Sequence, residues 1–389
     1  MKMKKKKLFL SLLCAMLLTM LFSATALAAS TVATIGGKSY TTLDAAIKKV
    51  KSGQIIVLKK NVTYTKPLTI NRSGKSFTIN LNKKTITFAN KNAYLNVKKG
   101  TVKLSNGTIK QKATDGYVIK VQKGAALSIA NGTYTGMIEN KGKTTITKGT
   151  FTNPYKKRDI YTGFISNYGT MAINGGTFDG KQRNTLYNEG TLTVKGGTFK
   201  YTPDFYGYDK VGSPEVENGA LLTNANKGKV TVSGGKFLSN TLCLWNDDNS
   251  TLNVTGGTFT SQLGGCFLSK GKTTISGGTW SVKEDWGNGY IYGGTLTVKD
   301  GTFKSEWSTF ETYVDTVTIK ISGGTFKSTA GTDSPAMLIS FNGKIQVTGG
   351  TFTGKNIWGY WCDENGDGKI TVKGGTFNVK ELKKEGELL

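Results

Sequence analysis

The segment Asp363-Glu364-Asn365-Gly366-Asp367-Gly368-Lys369-Ile370 spaces its oxygen donors like the first eight positions of a calcium loop, with Asp363, Asn365 and Asp367 as candidate ligands. The twelfth position of such a loop supplies a bidentate carboxylate; here it is Gly374, and a strand pattern follows in place of a helix. An EF-hand is therefore excluded, and the segment reads either as a half-loop for calcium or as an Asx-rich turn. A second set of residues suits carbohydrate. Tyr155 and Arg158, Tyr206 and Tyr208, Trp286, Trp307, and Trp358, Tyr360 and Trp361 fall in segments that also carry charged side chains. Aromatic faces stack on pyranose rings while nearby polar groups take the sugar hydroxyls. The plainer reading is that these rings cover a flank of the fold, and the sequence leaves both open.

Catalysis is harder to place. The chain has no histidine, which removes the usual general base near neutral pH, every His-containing triad and most zinc sites. Asp247-Asp248 is the only adjacent aspartate pair and sits in an Asn-rich stretch. A lysine base would need burial to lower its pKa, and no one lysine stands out. Gly349 to Lys355 has the outline of a phosphate loop, but Asn356 replaces the required Ser or Thr, so it is repeat punctuation.

Charge points to partners. The net charge is +27, nearly all of it lysine; only Arg72, Arg158 and Arg183 are arginine. Residues 1–28 read as a secretory signal peptide: lysines at 2 and 4–7, an apolar run from Leu8 to Phe22, and Ala26-Leu27-Ala28 at the cleavage site. The apolar run is short for a membrane span. Cleavage removes five lysines and leaves +22. The expected product is secreted or surface-associated, without a membrane span, and a monomer. Its field favours acidic polymers, among them uronic-acid glycans, teichoic acids and sulfated glycans. Dispersed lysines and export argue against specific nucleic-acid binding. The mature chain has Cys243, Cys266 and Cys362 and no CxxC, so its core and not a disulfide framework must stabilise it.

These residues need a scaffold, and the chain supplies it by repetition. A G-G-T-F tetrapeptide or a near variant ends at Phe151, Phe178, Phe199, Phe237, Phe259, Trp280, Phe303, Phe326, Phe352 and Phe377. Five residues before each aromatic stands Val or Ile, and seven before it another apolar residue is usual. Period two means strand, the doubled glycine means a corner, and a unit of this length means a solenoid coil. About twelve or thirteen coils at ~4.8 Å each predict a rod roughly 60 Å long. Asn140, Asn167, Asn188, Asn226, Asn246, Ser269 and Asn342 recur near eleven residues before the aromatic, which predicts a hydrogen-bonded side-chain ladder. Cys243 and Cys266 fall on equivalent sites of adjacent coils and either pair or stack. Most extra residues follow the G-G-T-F strand, so insertions should leave the rod along one edge.

Residues 29–60 are expected to form an N-terminal cap, strand–helix–strand, and 61–389 the β-helix. Thr41 and Asp44 fit a capping box; Leu43, Ala46, Ile47 and Val50 make one apolar face; Gly53 stops the helix. The run from Ala46-Ile47 through Ile56-Val57-Leu58 to Asn61-Val62-Thr63-Tyr64 resembles the opening of pectate-lyase-like β-helix proteins. Over nearly the whole mature chain, at the level of fold, it is similar to right-handed β-helix surface proteins of low-GC Gram-positive bacteria. The resemblance implies an all-β, single-stranded, right-handed parallel β-helix and a bias towards carbohydrate. It also implies a runner-up, a polysaccharide lyase or hydrolase, although the histidine and arginine motifs of the hydrolases are missing. The leading expectation is a non-catalytic binder of polysaccharide, acidic glycan or cell-wall polymer, acting through the loop edge. A structural or adhesive surface protein is the third reading.

Overall fold

The computed structural model describes residues 30–157, 159–203, 219–262, 264–283, 287–306, 308–329, 337–354, 358–359 and 368–379. The expected signal peptide lies outside them. Every strand among the described residues belongs to one continuous hydrogen-bonded sheet, wound into a parallel solenoid of about 12 turns. The all-β parallel solenoid expected from the repeat is what forms.

Each turn has three faces. Thr191–Val194 lies on face A, Thr198–Tyr201 on face B and Ala220–Asn224 on face C. Like positions stack in register from turn to turn. Leu192 pairs with Met171 and Val230, and Phe199 pairs with Phe178 and Phe237. The two apolar positions on face A point inward, as their period predicts; Leu192 and Val194 are buried. Each such side chain contributes on the order of 1.5–3 kcal/mol, which one turn alone cannot sum to stability but a stack can.

The doubled glycine between faces A and B has two separate causes. A Cβ on Gly196 would stand 2.8 Å from the Asn174 carbonyl oxygen of the preceding turn, so the first glycine permits close approach. Gly197 has φ +113°, a conformation that side chains resist, so the second makes the turn. The following aromatics then stack inside face B. Rings run without a break from Tyr134 through Phe151, Phe178, Phe199, Phe237, Phe259, Trp280, Phe303, Phe326 and Phe352 to Phe377, near-parallel throughout; Phe151 and Phe178 are 4.7 Å apart at 6°.

Face C carries the amide ladder. The Nδ2 group of Asn140 donates to Oδ1 of Asn167 (2.7 Å), Asn167 to Asn188 (2.7 Å), Asn188 to Asn224 (2.8 Å) and Asn224 to Asn246 (2.8 Å). The ladder then passes to Thr273, which is bonded to Ser269. Two members differ from the spacing rule. Asn224 replaces Asn226, because four residues, 225–228, fill this corner where 189–190 fill the one before. Asn226 stands on the outside and donates to Glu189. Ser340 replaces Asn342, since it is Ser340 that lies opposite Thr312.

The N-terminal end is closed by a break in the parallel pattern. Ala33–Ile35 pairs antiparallel with both Lys38–Tyr40 and Ile55–Leu58, the first rung of face A. Helix α1, Leu43–Lys49, buries Leu43, Ala46 and Ile47 over the end of the core. Its cap is Thr42, one residue later than expected: the Thr42 hydroxyl accepts from the Ala45 amide, and Asp44 instead takes a bond from the Tyr64 hydroxyl at 2.7 Å. This bond ties the helix to the first turn. Burial first, then the Asp44 carboxylate, push the Tyr64 phenol well up.

Cys243 and Cys266 do occupy adjacent turns, both buried and neither in a disulfide. Their thiols donate to the Thr260 and Ser281 carbonyls. Burial raises the Cys243 thiol far above its ordinary range.

Candidate functional site

The residues just before and just after the ladder position point outward from face C and its corner with face A. Register sets them in columns. Lys120, Glu139, Ser166, Tyr187, Thr223 and Trp245 follow one another in successive turns. Beside them at the corner stand Lys141, Tyr168 and Glu189, each the residue after a ladder position.

These columns make a ribbon of rings, ammoniums and carboxylates along the rod. The Lys120 ammonium lies 3.9 Å from the Tyr117 ring centroid and 5.1 Å from that of Tyr94. The same ammonium is 3.9 Å from Glu139, whose carboxylate also meets Lys141 at 3.5 Å. Lys141 sits over Tyr168, and Tyr168 packs tilted against Tyr187. The Tyr187 hydroxyl donates to Glu189 at 2.7 Å. Farther along, Lys270 lies over Trp245, whose indole N–H is buried with no partner among the described residues.

Burial, then neighbouring carboxylates, raise the phenols of Tyr117, Tyr168 and Tyr187, so all three keep their protons at neutral pH. Lys120 and Glu139 are mostly covered, at 22% and 13%, while Lys141 and Tyr168 are open. The surface thus offers a fixed centre with exposed rims. The exposed part of Tyr168, the amines and the phenol hydroxyls suit a polyhydroxylated ring better than an apolar guest.

The insertion edge adjoins this ribbon. Tyr155 lies half-buried with its ring 4.4 Å from the Arg183 guanidinium, which is itself paired with Asp159 at 2.8 Å. Arg183 also reaches the Met137 sulfur, and Met137 lies opposite Tyr117 in the sheet, which sets the pair next to the ribbon. Pro154, Tyr155, Lys156, Asp179, Lys181 and Gln182 border an open cleft of ≈ 400 Å³. A second aromatic run occupies the same corner column farther on: Tyr292 stacks on Tyr313 at 4.4 Å and 2°, and Tyr313 on Phe341 at 5.0 Å. Beneath it the buried Glu311 carboxylate accepts from Ser308 and Tyr313.

Of the residues expected to bind ligand, Tyr155 therefore joins the site. Trp358 lies in the short strand Trp358–Gly359, with its backbone opposite Leu338 in the face C stack, not in a free loop. Arg158, Tyr206, Tyr208, Trp286, Trp307, Tyr360 and Trp361, and the calcium candidates Asp363, Asn365 and Asp367, lie outside the described residues. No group of three or more metal-ligating side chains is found among the described residues. Sequence reading passed over Lys120, Glu139, Lys141, Tyr168 and Tyr187. Their signal was position: each stands just before or just after the ladder column, Lys120, Glu139 and Tyr187 within strands and Lys141 and Tyr168 at the corner that follows.

No family model, no curated protein and no solved structure matches the chain. No helix among the described residues is long and apolar enough to cross a membrane.

Proposed function

We propose that this protein is a secreted or surface-associated, non-catalytic binder of an acidic glycan or cell-wall polymer, and that the ribbon from Tyr94 to Tyr187 is where it binds. The observation that carries the reading is the fixed arrangement around Lys120: one ammonium against two rings and a shared carboxylate, with Tyr168 and Tyr187 in the next turns. A glycan chain lying along the rod meets a ring, a cation and a hydroxyl donor at intervals of one turn, roughly 4.8 Å. Stacking would contribute orientation, and Lys120 and Lys141 would select for uronate carboxylates.

Calorimetric titration with oligogalacturonate and with a neutral oligosaccharide of equal length tests this. The double variant Tyr117→Ala/Tyr168→Ala should weaken the acidic ligand by about tenfold or more, as expected for losing ring contacts worth ~0.5–1.5 kcal/mol each. Unchanged affinity in that variant, or equal binding of every polyanion with release by modest salt, sinks the proposal. Release of unsaturated uronate in the presence of calcium would replace it with the lyase reading.

A further inference from the structure

The lysines are not spread evenly along the rod. Residues 30–138 contain eighteen lysines and one arginine against two carboxylates, Asp44 and Asp115, a net +17. Residues 139–389 contain twenty-eight cations against twenty-three carboxylates, a net +5. One of the two N-terminal carboxylates, Asp44, is engaged by the Tyr64 hydroxyl. The first third of the solenoid is thus a nearly uncompensated cationic body, whereas lysines farther on are mixed with acids.

Register gathers part of this charge into a groove. Lys75, Lys99 and Lys123 stand at the same corner, between faces C and A, in three successive turns. All three are exposed, and no carboxylate among the described residues lies within ion-pair distance of them. Each precedes or follows a glycine in the left-handed region, Gly74 (φ +65°), Gly100 (φ +95°) and Gly124 (φ +80°), which keeps the corner low. The open groove between them is ≈ 430 Å³, and Ser73, Ser76 and Thr101 add hydroxyls to its walls. Its lining has no aromatic ring, no arginine and no acid.

We infer that this corner is a second binding surface, separate from the aromatic ribbon, and that it takes a linear polyol-phosphate polymer with one phosphodiester charge per repeat. The chemistry of the walls selects the class. Ammonium groups act as point charges that need no bidentate partner, which suits isolated, singly charged phosphodiesters. Without a ring there is no platform for a pyranose or for a nucleic-acid base. One cation per turn on a flexible stem matches a flexible chain of single charges, and neutralising them releases counterions from the polymer.

The test is binding of the protein to a short poly(glycerol phosphate) at graded salt, with two charge-matched triple variants. Lys75→Gln/Lys99→Gln/Lys123→Gln should lose about tenfold or more at low salt and flatten the slope of log affinity against log salt by about two to three. Lys299→Gln/Lys320→Gln/Lys344→Gln, which removes the same charge from exposed sites of later turns, should stay within about twofold. Equal losses in the two triples would mean that net charge alone binds the polymer, and would overturn the groove. Tighter binding of oligogalacturonate or single-stranded DNA at the groove would overturn the ligand class. Tyr117→Ala/Tyr168→Ala is the arm that separates this inference from the glycan proposal: it should leave poly(glycerol phosphate) binding unchanged, and a parallel loss would merge the two surfaces into one.

Discussion

The first turns and the later turns share one backbone and fill it differently. In the column that holds stacked rings from Tyr134 onward, the earlier turns place Ile86 and Ile109. In the column that holds the asparagine ladder from Asn140 onward, they place Val97 and Val121. The strands stay in register across both changes. The coil therefore does not require aromatic or amide stacking; it requires inward apolar side chains and glycine at its tight corners. What the later turns gain is specific order, since rings and amides accept only a neighbour in register, whereas aliphatic side chains tolerate sliding. The charge divides near the same place, lysine almost uncompensated before residue 139 and mixed with acids after it.

Three measurements would break or sharpen that contrast. The largest effect is expected from the ring column. Phe199→Ala, between Phe178 and Phe237, should cost about 3–5 kcal/mol in chemical denaturation, and Ile109→Ala should fall at the low end of about 2–5 kcal/mol. If the two costs are equal, the stacked rings add nothing beyond their volume. Next comes the ladder. Asn188→Ala removes the acceptor of Asn167 and the donor to Asn224, and should cost about 2–3 kcal/mol because buried amides lose partners. Val121→Asn would place a new amide directly above Asn140. A cost below that of Val97→Asn, which has no amide neighbour, would show that the ladder extends upward.

The smallest effect is alkaline. Burial holds the Tyr134 phenol, at the head of the ring stack, well above its ordinary value, as burial and Asp44 do for Tyr64 in the cap. A phenol whose folded pKa is raised keeps its proton in the fold and loses it on unfolding. Its contribution is complete below the unfolded value of about 10 and is lost as pH rises through the folded value. The thermal midpoint should therefore fall as pH rises above about 10. Tyr134→Phe should blunt that fall in the later turns and Tyr64→Phe in the cap. A midpoint equally pH-sensitive in the double variant would assign the loss to other groups.

Much of the fold was legible because the repeat is strict: an apolar pair, two glycines and an aromatic at fixed spacing leave one parallel coil as the solution. The ladder was legible in kind but not in membership. Asn224 and Ser340 were missed because corner length varies between turns, and only hydrogen-bonded register counts residues across a corner. The site was less legible still. Sequence reading looked for rings in insertions, where Tyr155 is, but Lys120, Glu139 and Tyr187 sit inside strands, and nothing local distinguishes an outward strand residue that meets a partner from one that faces water.

By itself, then, the sequence determined the solenoid, its inward columns and its excess of lysine, all of which follow from period and composition. Only the tertiary structure decided which side chains from different turns share a surface. Residues 24 apart, such as Lys75 and Lys99, become neighbours through stacking, and no pattern within one coil states which of them will stand beside an acid and which will stand alone.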